Sequence, residues 1–254
     1  MNYSESDIFV GKYHIRYLMY EFTILVPVYN EVESIPRLGQ ELGQYLGKAS
    51  VSTTVLFVND GSTDGSLDLI RRICSTQEEF HYISLAKNGG LSAALKAGFD
   101  YVNTPLVGYM DADLQTLPED FEILLPYIKN HHLVNGVRTN RADSVVKRLS
   151  SSIANGVRKL FTRDGMDDTG CPLKIMRTVT AKNIPMFRGL HRFLPAMVML
   201  QGGEVIQVPV RHFPREAGSP KYGLWNRIWG PLLDCFAFLW MKKKYINYEI
   251  KEEG

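Results

Sequence analysis

The sequence is short of cysteine, of net charge and of long apolar runs. Its three cysteines, Cys74, Cys171 and Cys235, are widely spaced and odd in number, with no Cys-x-x-Cys pair and no histidines at metal-ligand spacing. A disulfide framework and a cysteine-histidine zinc site are disfavoured, and the thiols read as reduced, mostly structural groups of a cytosolic protein. The formal charge of +2 on 254 residues is far below the basic excess that marks a nucleic-acid binder, so no nucleic-acid partner is expected. Residues 1–22 mix Ser, Glu, Asp, Lys and Arg with Tyr and Leu and contain no apolar core of a signal peptide, which disfavours export. No G-x-G-x-x-G follows the first strand-like run and no phosphate-binding P-loop is present, which argues against a dinucleotide oxidoreductase and a P-loop nucleotidase.

What is present is enough apolar material, 45% of the chain, to bury a core as one large domain or one domain with an appendage. Short β-rich runs, FTILVPV, STTVLFV, HYISL and PLVGYM, alternate with segments of helical length. That alternation predicts an α/β fold, a Rossmann-like and mostly parallel sheet flanked by helices. Such sheets collect ligands at the carboxyl ends of their strands, and the polar clusters YNE, NDGSTDGS, KNGG and DADLQ each follow one of the four runs. Further on, SVVKRLSSSIANGVRKLF carries an apolar stripe at Val145, Leu149, Ile153, Val157 and Phe161, flanked by Lys147, Arg148, Arg158 and Lys159. PLKIMR and EVIQVPVRHF read as strands around a helical GLHRFLPAMVMLQ.

In GYMDADLQTLPED, oxygen-bearing side chains alternate with Ala112 and Leu114. In an extended segment Asp111, Asp113 and Gln115 share one face while the apolar pair turns back into the protein. Three hard oxygen donors suit Mg2+ or Mn2+, which takes few protein ligands and completes its shell with water and phosphate. Pro118, Glu119 and Asp120 resemble a first helical turn that would end the segment. A merely solvated polar strand end fits the same spacing.

VPVYNE, VNDGSTDGS, NGGLSAALKAGFDY and DADLQTLPED, in this order, resemble the nucleotide-binding half of the family 2 inverting glycosyltransferases of GT-A fold. NGVR, DTGCPLK and REAGSPKYG extend the resemblance to the dolichyl-phosphate and polyprenyl-phosphate sugar synthases, and the run from HRFLPA to LWNR is similar to bacterial members that load sugars for lipid A or surface polysaccharide. The resemblance covers residues 22–223, leaving an N-terminal tail, 1–21, and a C-terminal segment, 224–254. It implies nucleotide contacts from Pro27, Tyr29, Glu31, Asp60, Lys87, Gly89, Asp111 and Ala112, with Asp60 accepting from a base N–H. Asn59 stands where the family often has Asp, and NDGSTDGS also reads as an Asx-rich turn in which Ser62 or Thr63 caps the next helix.

Sugar transfer from a nucleotide donor needs the leaving diphosphate neutralised, the task assigned to an ion at Asp113 and Gln115. An alcohol acceptor also needs a general base. A lipid monophosphate, with a second pKa near ~6, does not, and the difficulty becomes repulsion between anions. Guanidinium forks suit that work. The candidates are Arg138, Arg148, Arg215 and Lys221, the first three placed near the phosphates by the resemblance. Pro220 stands where the family has Ser. Asp168 in DDTGC could orient the acceptor, serve as base for an alcohol, or only cap a loop; His191 and Arg192 could line a pocket or simply open a helix.

All the tryptophans, Trp225, Trp229 and Trp240, lie in the segment ending in Lys242, Lys243 and Lys244. This segment is too short to span a bilayer, which takes about 20 apolar residues, and fits either an interfacial helix or one docked on the core, with Gly230 and Pro231 as possible interruptions. The expected activity is metal-dependent hexosyl transfer from a UDP- or GDP-linked sugar to a polyprenyl phosphate at the cytoplasmic membrane face, in cell-envelope glycan or lipid A-type modification. Expected partners are the donor, the lipid phosphate, and a membrane surface or membrane protein, with homo-oligomerisation open. Transfer to a saccharide hydroxyl and a non-catalytic nucleotide-sugar-binding subunit are the alternatives; a processive polysaccharide synthase is disfavoured by the lack of spanning helices.

Overall fold

The computed structural model describes residues 20–139, 156, 158–214, 229–246 and 250–252. Its strands are β1 (Phe22–Val28), β2 (Thr53–Asn59), β3 (Phe80–Ser84), β4 (Leu106–Tyr109), β5 (Leu133–Arg138), β6 (Lys174–Arg177) and β7 (Val205–Val210). Its helices are α1 (Ile35–Leu46), α2 (Ser66–Thr76), α3 (Leu91–Tyr101), α4 (Phe121–Leu124), α5 (Thr178–Lys182), α6 (Leu194–Leu200) and α7 (Trp229–Lys244). The strands form one sheet in the order β3-β2-β1-β4-β6-β5-β7, parallel except that β6 runs antiparallel to both neighbours. The expected α/β, mostly parallel architecture is therefore present.

Strand alternation divides the core into two layers. Phe22, Ile24, Val26 and Val28 of β1 face α1 and Phe121, while Leu25 faces the opposite layer with Phe99 and Phe193. In α1 the buried Ile35, Leu38, Leu42 and Tyr45 recur every three or four residues and make its inner stripe. Because β1 lies between β2 and β4, the chain reverses its winding there, and the loops after β1 and β4 open onto one crevice. Val28, Asn59 and Ser84 are aligned across β1, β2 and β3, so the three loops that follow start level with one another.

Two local expectations need correction. The segment from Asp111 to Gln115 is not extended: β4 ends at Tyr109, residues 112 and 113 form a turn, and Leu114 has φ of 54°. A left-handed leucine costs about 1–3 kcal/mol, so the surroundings must hold it. Ala112 and Leu114 are nevertheless buried, as their apolar character requires. Ser62 and Thr63 do not cap α2, which starts at Ser66 after Gly65. Arg158, read only as a flank of the apolar stripe, is buried, paired with Asp164, and donates to the Met166 carbonyl at 2.6 Å.

Helix α7 passes through Gly230 and Pro231 without interruption, since proline is tolerated in a first turn. One side docks on the domain: Cys235 and Phe238 are buried, Phe238 stacks on Phe193 with centroids 5.5 Å apart, and Asp234 meets Arg192 at 3.3 Å. Leu233, Phe236 and Trp240 on this helix are exposed, beside Lys242, Lys243 and Lys244. Among the described residues no helix is long and apolar enough to cross a membrane.

Candidate active site

The loops after β1, β2 and β3 are fastened by hydrogen bonds between carboxylates or hydroxyls and backbone amides. Asp60 accepts from Gly89 N–H at 2.7 Å on one oxygen, and from Gly90 N–H at 2.8 Å and Asn88 Nδ2 at 2.9 Å on the other. It is buried, so its charge is satisfied by this loop, and the loop's shape depends on it. Gly61, at φ of 68°, allows the close approach: a Cβ there would stand 2.6 Å from Asn88 N. Asn59, the departure from the family's Asp, donates to Ser84 Oγ at 2.8 Å and accepts from Ser62 N–H at 3.2 Å.

Across from it, Asn30 N–H donates to Ser62 Oγ at 3.0 Å and Glu31 N–H to Ser66 Oγ at 2.9 Å. Asp64 accepts from Val32 N–H at 3.1 Å and from the Ser66 hydroxyl at 2.5 Å. Burial opposes the Asp64 charge, but the Ser66 hydroxyl and the amides of Val32 and Ser66 outweigh it and hold its pKa below the usual carboxylate value. Tyr29 and Lys87 stand exposed at the crevice edge, with Pro27 and Glu31 half-buried. Ala112, with its methyl in the core, could offer a ligand only its backbone.

In the loop after β4, Asp113 is nearly buried and accepts from Gln115 N–H at 3.2 Å, while Asp111 and Gln115 are half-buried. The oxygen donors are of the kind a hard divalent cation takes. Among the described residues no group of three or more His, Cys, Asp or Glu stands together, so an ion here would rely on two carboxylates, the Gln115 amide oxygen and oxygens of its ligand. Mg2+ is commonly held in that manner.

The other half of the crevice is built from charges. Arg138 at the end of β5 grips Asp168 with Nε to Oδ2 at 2.7 Å and Nη2 to Oδ1 at 2.8 Å, and its backbone N–H adds a longer bond of 3.3 Å. Asn135 Nδ2 donates to the Asp168 carbonyl at 3.1 Å and fixes the loop. Lys174, fully buried at the start of β6, was not singled out from the sequence, where it reads as an ordinary strand residue. Its ammonium donates to the carbonyls of Thr169 and Cys171 and lies 5.3 Å from the Tyr109 ring centroid. Burial pushes its pKa down to about 8, with the Arg138 charge acting the same way and Asp168 and Asp111 resisting. Burial, then the Asp111 charge, raises the Tyr109 phenol well above its ordinary value. The fold thus gathers Asp111, Arg138, Asp168 and Lys174 into one charge-balanced cluster.

Arg148, Arg215 and Lys221 lie outside the described residues. His191 is partly buried with Nδ1 2.9 Å from Ser92 Oγ, at the start of α3, and burial with the nearby Arg192 charge lowers its pKa to about 3. A groove of about 770 Å³ bordered by Tyr20, Ser50, Ser52 and Glu79 is at the opposite, amino-terminal end of the strands.

Residues 23–185 match the family model described as glycosyl transferase family 2. Over 209 residues the chain is 32% identical to the undecaprenyl-phosphate 4-deoxy-4-formamido-L-arabinose transferase of Salmonella choleraesuis, covering 81% of this chain and 64% of that relative's length. The chain therefore spans a little under two thirds of such relatives. In fold it is similar to glucosyl-3-phosphoglycerate synthase from Mycobacterium tuberculosis in complex with Mn2+, UDP and glucosyl-3-phosphoglycerate, with TM-score 0.68, 12% identity, and coverage of 94% of this chain and 85% of that one. A mannosyltransferase from Pyrobaculum calidifontis in complex with GDP-Man and Mn2+ gives TM-score 0.62 at 17% identity, covering 91% of this chain and 70% of that one. On its sheet, its strand-end loops and the match of its own sequence, the chain belongs to glycosyl transferase family 2.

Proposed function

We propose that the protein is a metal-dependent inverting glycosyltransferase that moves a sugar from a UDP- or GDP-linked donor to a polyprenyl phosphate. The observation that carries this reading is the grip of Arg138 on both oxygens of Asp168. A carboxylate held by a guanidinium fork is a poor general base, because proton uptake would break a charge-assisted pair. The reaction favoured by such a site is one whose nucleophile arrives already ionised. A phosphate monoester does so at neutral pH, its second pKa lying near ~6. The kinship with an undecaprenyl-phosphate sugar transferase supports the same acceptor class.

In this reading the loops of Tyr29, Glu31, Asp60 and Gly89 hold the nucleoside end of the donor. Asp111, Asp113 and Gln115 would hold Mg2+ or Mn2+, an ion that would supply positive charge for the departing diphosphate. Arg138, oriented by Asp168, would meet the acceptor phosphate, and Arg148, Arg215 and Lys221 are the further cations proposed for the same task. A phosphate oxygen attacks the anomeric carbon from the side opposite the diphosphate, one C–O bond forms as the other breaks, and no proton has to be removed. The exposed Leu233, Phe236 and Trp240 of α7, flanked by lysines, would rest on an anionic bilayer at the cytoplasmic face, where a lipid acceptor resides. A saccharide acceptor would need Asp168 as a free base.

Purified protein supplied with a radiolabelled nucleotide-sugar, Mn2+ and undecaprenyl phosphate is expected to form a lipid-extractable product. Asp168→Asn should retain measurable transfer to the phosphate acceptor. No extractable product from any common donor would contradict the proposal.

A further inference from the structure

We infer that the segment leaving β7 is a brace that sets the shape of the Asp111–Gln115 loop, with Arg211 and Asp120 as its positioning residues. The inference rests on the metal reading of that loop. Asp120 is fully buried in the turn just after the loop, where an unpaired carboxylate would be prohibitively costly. Arg211 encloses it with Nε at 2.6 Å and Nη2 at 2.5 Å on one oxygen and its own backbone N–H at 3.1 Å on the other. Past Arg211, Phe213 donates its backbone N–H to the Gln115 carbonyl at 2.9 Å. The brace therefore holds the carboxyl-terminal side of the loop at two points, at Gln115 next to the left-handed Leu114 and again beyond it at Asp120.

The attachment runs the other way as well. Val210, which precedes Arg211, pairs with Arg138 across β5 and β7, and its carbonyl accepts from Thr139 N–H at 3.0 Å. One continuous piece of backbone thus joins the strand end carrying Arg138 to the loop carrying Asp113 and Gln115. Asp120 is fully buried while the Arg211 side chain is half-exposed, so a guanidinium reached from the surface fixes the position of a buried carboxylate. Groups that orient metal ligands from outside the ligand shell commonly change metal affinity by about tenfold or more when removed.

The test measures Mn2+ binding by paramagnetic resonance of the free ion, with saturating UDP and separately GDP, in the unaltered chain, Asp120→Asn, Arg211→Lys, Arg211→Ala and Asp113→Asn. Hydrogen exchange over residues 111–117 is followed in each. Asp120→Asn and Arg211→Ala should bind Mn2+ about tenfold more weakly and exchange faster in the loop, with Arg211→Lys between them and the unaltered chain, while metal-free nucleotide affinity stays unchanged. Should Arg211→Ala fail to fold, Asp120→Asn and Arg211→Lys carry the same readouts. Brace variants that hold the ion as tightly as the unaltered chain, with unchanged exchange, overturn the inference even if Asp113→Asn loses the ion. If the unaltered chain and Asp113→Asn both fail to bind Mn2+, the metal reading itself fails and the brace falls with it.

Discussion

The two halves of the crevice are stabilised by different chemistry. On the side of β1, β2 and β3, carboxylates and hydroxyls are bonded to backbone amides of neighbouring loops, as Asp60 is to Gly89 and Gly90. On the side of β5, β6 and β7, charge meets charge, in Arg138 with Asp168, Arg211 with Asp120 and the buried Lys174. Amide-fixed loops present a rigid, nearly neutral surface suited to a nucleoside. Paired charges hold guanidinium groups in a fixed orientation, and in the proposed reaction their positive charge would offset the repulsion between two phosphates.

The contrast predicts different failures. The largest effect is expected from Arg138→Ala, which leaves Asp168 buried without its fork and should cost about 3–5 kcal/mol of stability in denaturant unfolding. Next, Asp113→Asn should leave the fold intact and reduce sugar transfer about a hundredfold or more, read as kcat/KM. Asp60→Asn places an N–H against the Gly90 amide, and should weaken donor binding by about 1.5–3 kcal/mol while transfer at saturating donor is largely kept. A comparable loss from Asp60→Asn and Asp168→Asn in donor affinity would erase the distinction between the halves.

Smaller effects sharpen it. His191 is held neutral, with its pKa at about 3 against an ordinary 6.5, so between those values the unfolded chain binds a proton that the folded one does not. Stability should therefore fall as pH drops from about 6.5 toward 3, by up to about 1.4 kcal/mol per pH unit from this group, and His191→Asn should flatten that part of the profile. Least of all, replacing Lys242, Lys243 or Lys244 singly by Gln should weaken sedimentation with anionic vesicles by about 1 kcal/mol each, without altering thermal stability.

The same division explains what could be read from the sequence. The sheet and the loops after β1, β2 and β3 are legible because their residues are contiguous: each cluster follows its own strand, and the parallel register brings the clusters level. Asp111 to Gln115 does follow the fourth strand, but the extended backbone read for it is wrong, since strand alternation does not carry past Tyr109, where the chain turns. The charge-paired half was less legible because its partners are distant in sequence. Nothing local in PLKIMR marks Lys174 as buried, and Arg158 looks like a solvated flank until Asp164 folds back against it. Asp120 was visible as a helix-start residue, but its bond to Arg211 exists only once β7 is in place.

The most direct measurement is calorimetric binding of UDP and GDP, with manganese and after exhaustive chelation. Affinity for at least one nucleotide that is strong with the ion, collapses without it, and is absent in Asp113→Asn at either condition agrees with a dication bridging this loop and the donor diphosphate. Equal affinity with and without the ion would contradict it.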